Sequence, residues 1–122
     1  MKIEDVLKQG GHGVIATASK SGVVNVAVYA VPHVVDDETV VWGMTDGRTW
    51  DNIRENPCAS YAYFAPGEGF RGARIMLSLT RTEDAGEMLA KIRERTAARS
   101  PGNPEAVKHA AYFKVVETRP LV

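Results

Sequence analysis

Residues 23–35 (Val-Val-Asn-Val-Ala-Val-Tyr-Ala-Val-Pro-His-Val-Val) constrain the fold more than any other stretch. β-Branched side chains fit a pleated strand. Here both phases of the alternation are apolar, so neither face of the strand is marked for water. Such a strand is expected to be covered on both faces, or to lie in a barrel wall with something packed outside it. Pro32 has no N–H to give a ladder, which predicts a bulge or a sheet edge at that point.

The rest of the chain supplies partners for this strand. Ile3, Val6 and Leu7 share one helical face, and Gln9-Gly10-Gly11 ends that short helix. Residues 13–18 read as a strand closed by the turn Ser19-Lys20-Ser21-Gly22, and the acidic turn Asp36-Asp37-Glu38 leads into a strand at 39–44. Further strands are expected at 59–65, 71–82 and 111–118. In the second of these, Ala73, Ile75, Leu77 and Leu79 fall on one face. A helix is predicted over 83–98, with Ala85, Met88, Leu89 and Ile92 as its apolar stripe and Glu87 preceding Lys91. Residues 100–104 read as a loop, and Pro104-Glu105 opens a helical turn towards His109. Hairpin-length turns between six strands, with helices beside them, predict a single mainly-β domain built as a six-stranded antiparallel barrel.

The charge balance narrows the function. Lysine plus arginine and aspartate plus glutamate both number 15, with no basic stripe, so nucleic acid and anionic lipid are not expected partners. One cysteine, Cys58, cannot form an internal disulfide, and its place at the head of an apolar strand predicts a buried, inert thiol. The amphipathic N-terminus has no apolar signal core and no run reaches membrane-spanning length, which predicts a cytoplasmic protein.

Residues 43–57 carry the strongest hint of chemistry. Asp46-Gly47 signals a turn; Arg48 and Thr49 follow; Trp50 and Ile53 stand three apart on one helical face; Asn56-Pro57 stops the helix. The start of that helix offers free backbone N–H groups, a permanent guanidinium and a hydroxyl, a set suited to a phosphate dianion. Competing motifs fail on context. Gly67, Gly69 and Gly72 satisfy G-x-G-x-x-G, but a strand pattern follows them where a dinucleotide site needs a helix. His12, His33 and His109 lack ligands at metal spacing, and no serine sits in a nucleophile elbow, so neither a metal nor a catalytic side chain is nominated. An anion cradle without reactive side chains points to chemistry borrowed from a phosphorylated cofactor.

In order, a strand ending Ala-Thr-Ala, then Val24-Asn25-Val26-Ala27-Val28, an acidic hairpin, Arg48-Thr49-Trp50-Asp51-Asn52-Ile53 and Asn56-Pro57 resemble the flavin-binding split β-barrel, or pyridoxamine 5′-phosphate oxidase-like, family. The likeness is specific over roughly residues 10–80 and covers the remainder in layout. It implies a Greek-key split barrel, a homodimer with FMN at the subunit interface, and an oxidoreductase or electron carrier. By resemblance, Arg48 and Thr49 would hold the phosphate, and Asn25, Val26, Ala27 and Val28 would run along the isoalloxazine. Val41, Trp42, Gly43 and Met44 would line the ribityl chain, Asn52 matches the recurring helix asparagine, and Gly69 and Arg71 would reach the partner's site. Gly47 replaces a second basic residue common in the family, Cys58 replaces a basic residue after Asn-Pro, and residues 117–122 lack the pattern for vitamin B6 oxidation. The same fold holding deazaflavin F420 or haem, with His33 or His109 as an axial ligand, and a cofactor-free interaction module are the alternatives.

Overall fold

The computed structural model describes residues 2–7, 10–99 and 103–122. The predicted helix end at Gln9 and the loop at 100–102 lie outside them. The elements are α1 (Ile3–Val6), β1 (His12–Ala18), β2 (Val24–Tyr29), β3 (His33–Asp36), β4 (Thr39–Met44), α2 (Arg48–Glu55), β5 (Cys58–Phe64), β6 (Gly72–Glu83), α3 (Glu87–Arg99), a 3₁₀ turn (Pro104–Ala106) and β7 (His109–Pro120).

The strands make one antiparallel sheet in the order β2-β1-β5-β6-β7-β4-β3. There are seven strands where the sequence predicts six. The long valine run is two strands, because the ladder stops at Tyr29 and resumes at His33 on the far side of Pro32. Three residues, 30–32, therefore join the two edges of the sheet. Four peptide steps reach about 14 Å at most, so the edges come close at that point and the sheet curls into a barrel with a split between β2 and β3.

Trp42 is the hub of the interior. Its ring lies 4.9 Å from Tyr61 and meets Phe113 and Tyr29 edge-on at 5.7 and 6.4 Å. Its Nε1–H donates to Ala30 O at 2.8 Å, which ties the β2–β3 link to β4. Ile15, Met44, Ile53, Tyr63, Ile75 and Leu77 fill the space around it, joined by Ile3 of α1 and by Leu7 just after that helix. A second apolar cluster lies outside the barrel, where Leu89 and Ile92 of α3 cover Val41, Val107, Ala110 and Tyr112. The approach is close enough that a Cβ on Gly43 would stand 2.4 Å from Ile92 Cγ2, so only glycine fits there.

The predicted helix over 83–98 starts later, at Glu87. Thr82 and Glu83 pair with Ala111 and Ala110, and Tyr112 Oη–H donates to Glu83 at 2.7 Å, so long-range pairing holds these residues in the strand. Cys58, expected to be buried, is exposed, because its side chain points to the outer face of β5. Among the described residues no helix is long and apolar enough to cross a membrane.

Candidate functional site

α2 begins as its sequence suggests. Gly47 occupies the N-cap in an extended conformation and makes no side-chain cap, so the first N–H groups of the helix keep their donors free. Trp50 and Ile53 bury the inner face, Asn52 Nδ2–H donates to Thr17 Oγ1 at 3.1 Å, and the chain leaves at Asn56 with extended dihedrals before Pro57. Packing and that hydrogen bond hold the helix against β1, and its first residues stand beside the edge strand β2.

Between the two lies a cleft of about 330 Å³, lined by Asn25, Val26, Ala27 and Tyr29 of β2 and by Thr45, Gly47, Arg48, Thr49 and Trp50. Arg48 is exposed, and among the described residues no carboxylate pairs with it. Thr49 is 7% exposed and shares the cleft lining with Tyr29. Burial pushes the Tyr29 phenol above its ordinary pKa, so the phenol is a neutral donor at neutral pH. Because β2 is an edge, one side of its backbone also offers unpaired N–H and C=O groups. The cleft thus combines a cation, helix N–H groups, hydroxyls and a free strand edge, the chemistry that receives an anion joined to a flat, hydrogen-bonding body.

The structure brings together Asn25, Val26, Ala27, Arg48 and Thr49. It places Val28 on the outer face, 75% exposed, and turns Asn52 towards Thr17. Met44 is buried in the barrel interior. Val41, Trp42 and Gly43 line a different cavity of about 190 Å³ with Tyr29, His33, Ile92 and Arg95. There His33 Nε2 is buried without a hydrogen bond, and burial plus the charges of Arg95 and Lys91 holds the imidazole below its ordinary pKa. Gly69 and Arg71 sit in the β5–β6 connection, where Arg71 donates to Pro66 O at 3.1 Å, and the glycine motif opens no helix. Tyr29, Thr45, Gly47 and Trp50 also line the cleft, and the sequence signals for them are their places beside Arg48 and in the alternation of β2. Among the described residues no group of histidine, cysteine, aspartate and glutamate is arranged to hold a metal ion.

Next to the cleft, His109 at the start of β7 bridges two carboxylates, with Nε2 2.7 Å from Asp46 Oδ1 and Nδ1 2.7 Å from Asp84 Oδ1. Its ring stacks on Trp50 with centroids 3.7 Å apart and planes 3° from parallel. Burial pulls the imidazole down, but hydrogen bonds and charge from Asp46 and Asp84 outweigh it and leave the pKa above its ordinary value.

No protein-family model and no curated protein sequence matches the chain. Solved structures do. An FMN-binding protein from Syntrophomonas wolfei is 20% identical with a TM-score of 0.77, over 90% of this chain and 76% of that one. The HupZ protein of Group A Streptococcus is also 20% identical, with a TM-score of 0.76 over 96% of this chain and 89% of that one. A deazaflavin F420 reductase is 18% identical with a TM-score of 0.73, over 95% and 94% of the two chains. At these identities the likeness concerns the fold: this chain has the split-barrel fold of the pyridoxamine 5′-phosphate oxidase-like flavin-binding proteins.

Proposed function

We propose that the chain binds FMN in the cleft between β2 and the start of α2, and works as a homodimeric oxidoreductase or electron carrier. The observation that carries the reading is the unpaired Arg48 beside uncapped helix N–H groups and the Thr49 hydroxyl, opening onto an edge strand. The neighbours named above supply the rest, since flavin-type cofactors recur on this fold.

The residues present fit the group. Arg48 and Thr49 would hold the phosphate, the guanidinium through charge-assisted bonds. The Asn25–Ala27 backbone would meet the donor and acceptor edge of the ring, and Tyr29 would close the cleft beneath it. When bound, the flavin supplies the redox chemistry, while the protein supplies orientation and electrostatics. Glycine at position 47 leaves one guanidinium as the sole side-chain cation of the cleft lining.

A volume of about 330 Å³ stands at the small end of ligand pockets, so a second wall is needed, and the exposed face beside it is built for one. Val24, Val26 and Val28 are 77%, 66% and 75% exposed. Val26 continues across the sheet through Ala16 and Ser60 to Met76, itself 44% exposed. A second copy of the chain covering this small-residue face would complete both the apolar burial and the flavin pocket.

An absorption spectrum of the purified protein tests the reading. A yellow protein that releases FMN on denaturation, or takes up one FMN per chain, is the expected result. A bound deazaflavin would move the assignment to F420, and a Soret band to haem. Both ring nitrogens of His109 are engaged by carboxylates, so haem would draw no support from that residue. A colourless protein indifferent to added FMN and F420 would overturn the reading in favour of an interaction module.

A further inference from the structure

His109 ties the β4–α2 corner and the first turn of α2 to the end of β6. Asp46 belongs to the β4–α2 corner, two residues ahead of Arg48; Asp84 follows β6; Trp50 lies in the first turn of α2. A neutral imidazole has one N–H and would press a lone pair against one of the two carboxylates. Two acceptors at 2.7 Å are satisfied together only by the imidazolium, with both nitrogens donating. Among the described residues, Lys108 Nζ reaches Asp46 Oδ2 at 3.3 Å, and the Arg54 guanidinium lies 5.4 Å from the centre of the Trp50 ring on which His109 stacks.

Asp46 is the residue at stake. It is 62% exposed, carries a carboxylate beside the uncapped end of α2, and stands close in sequence to Arg48. Released from His109, that carboxylate would be free to turn towards the guanidinium and the free N–H groups, both of which favour anions. We propose that charged His109 is a positioning residue for the anion cradle: it holds Asp46 away, and its deprotonation converts Asp46 into an internal competitor for the ligand's phosphate. The inference rests on the reading of the cleft given above.

The sign follows from the shift. A folded-state pKa above the ordinary 6.5 means that the clamp is fully set below that pH and is lost as pH rises through the higher folded value. The phosphate itself is already a dianion there, since its second pKa lies near ~6. Rising pH therefore opposes binding through the protein alone. Lys108 stays charged and keeps part of its hold on Asp46, so the expected effect has the scale of an exposed charge pair, roughly a two- to fivefold rise in the FMN dissociation constant.

The test is FMN titration between pH 6.5 and 9 for the wild type, His109→Gln, Asp46→Asn and the double variant. Weakening with pH in the wild type, weak and flat binding in His109→Gln, flat and tight binding in Asp46→Asn, and recovery in the double variant would support the proposal. The same pH profile in the wild type and Asp46→Asn, or no recovery in the double variant, would overturn it with the flavin site intact. Failure of FMN to bind any of the four at any pH would sink the flavin reading instead. Fluorescence of the flavin-free protein then decides the clamp: Trp42 is common to all variants, so a pH step in Trp50 emission that His109→Gln abolishes supports it, and identical curves overturn it.

Discussion

β2 and β4 are built from the same material and meet opposite fates. Val-Asn-Val-Ala-Val-Tyr forms the first and Thr-Val-Val-Trp-Gly-Met the second. In β4, Val40 and Val41 are 1% and 0% exposed, because the barrel interior takes one face and α3 the other. In β2 the outward valines lie bare, because β2 is an edge and, among the described residues, no helix covers its outer face. Composition thus states how much cover a strand wants, and topology decides whether the chain itself supplies it. The bare strand borders the cleft; the covered strand packs between the barrel interior and α3.

The largest effect that can separate the two regions is on stability. Trp42→Ala should cost about 3–5 kcal/mol, since it empties the hub of the barrel and leaves Ala30 O without its donor. Denaturant unfolding measures this; a loss under ~1 kcal/mol, the ordinary cost of a point mutation, would mean that the aromatic cluster does not hold the split together. Gly43→Val comes next, with an expected loss of about 1–3 kcal/mol from overpacking against Ile92 and Val107. A neutral result would show that α3 can retreat from β4 freely. On β2 the expectation reverses. Val28→Glu should leave the fold of one chain intact, within about 0.5 kcal/mol for a surface change, yet halve the mass seen by sedimentation. An unchanged mass would show that this face is not where two copies meet.

The legibility of the chain follows the same division. α2 could be read from the sequence because its signals are local: Asp46-Gly47 turns the chain, Trp50 and Ile53 set the buried face, and Asn56-Pro57 stops it. Arg48 and Thr49 could be placed at its start for the same reason. The break in the valine run was visible only as an anomaly at Pro32, because apolar alternation says nothing about where a ladder changes partner. The start of α3 was misplaced because Thr82 and Glu83 are held by β7, far along the chain. His109 looked like an isolated histidine for a related reason: its two carboxylates lie 25 and 63 positions away. The exposure of Cys58 is not legible in the sequence, because an apolar strand has two faces and its pairing with Ser78 of β6 is not fixed locally.

The claim on which the functional account rests is that Arg48 and the head of α2 grip a phosphate. Comparing FMN with riboflavin, which lacks that group, measures it directly, in the wild type and in Arg48→Ala. The wild type should bind FMN more tightly than riboflavin, and Arg48→Ala should lose about 1.5–3 kcal/mol of FMN affinity, the scale of a hydrogen bond to a charged group, with riboflavin binding unchanged. Equal affinity for the two flavins in the wild type, or an FMN affinity indifferent to Arg48→Ala, would contradict the account.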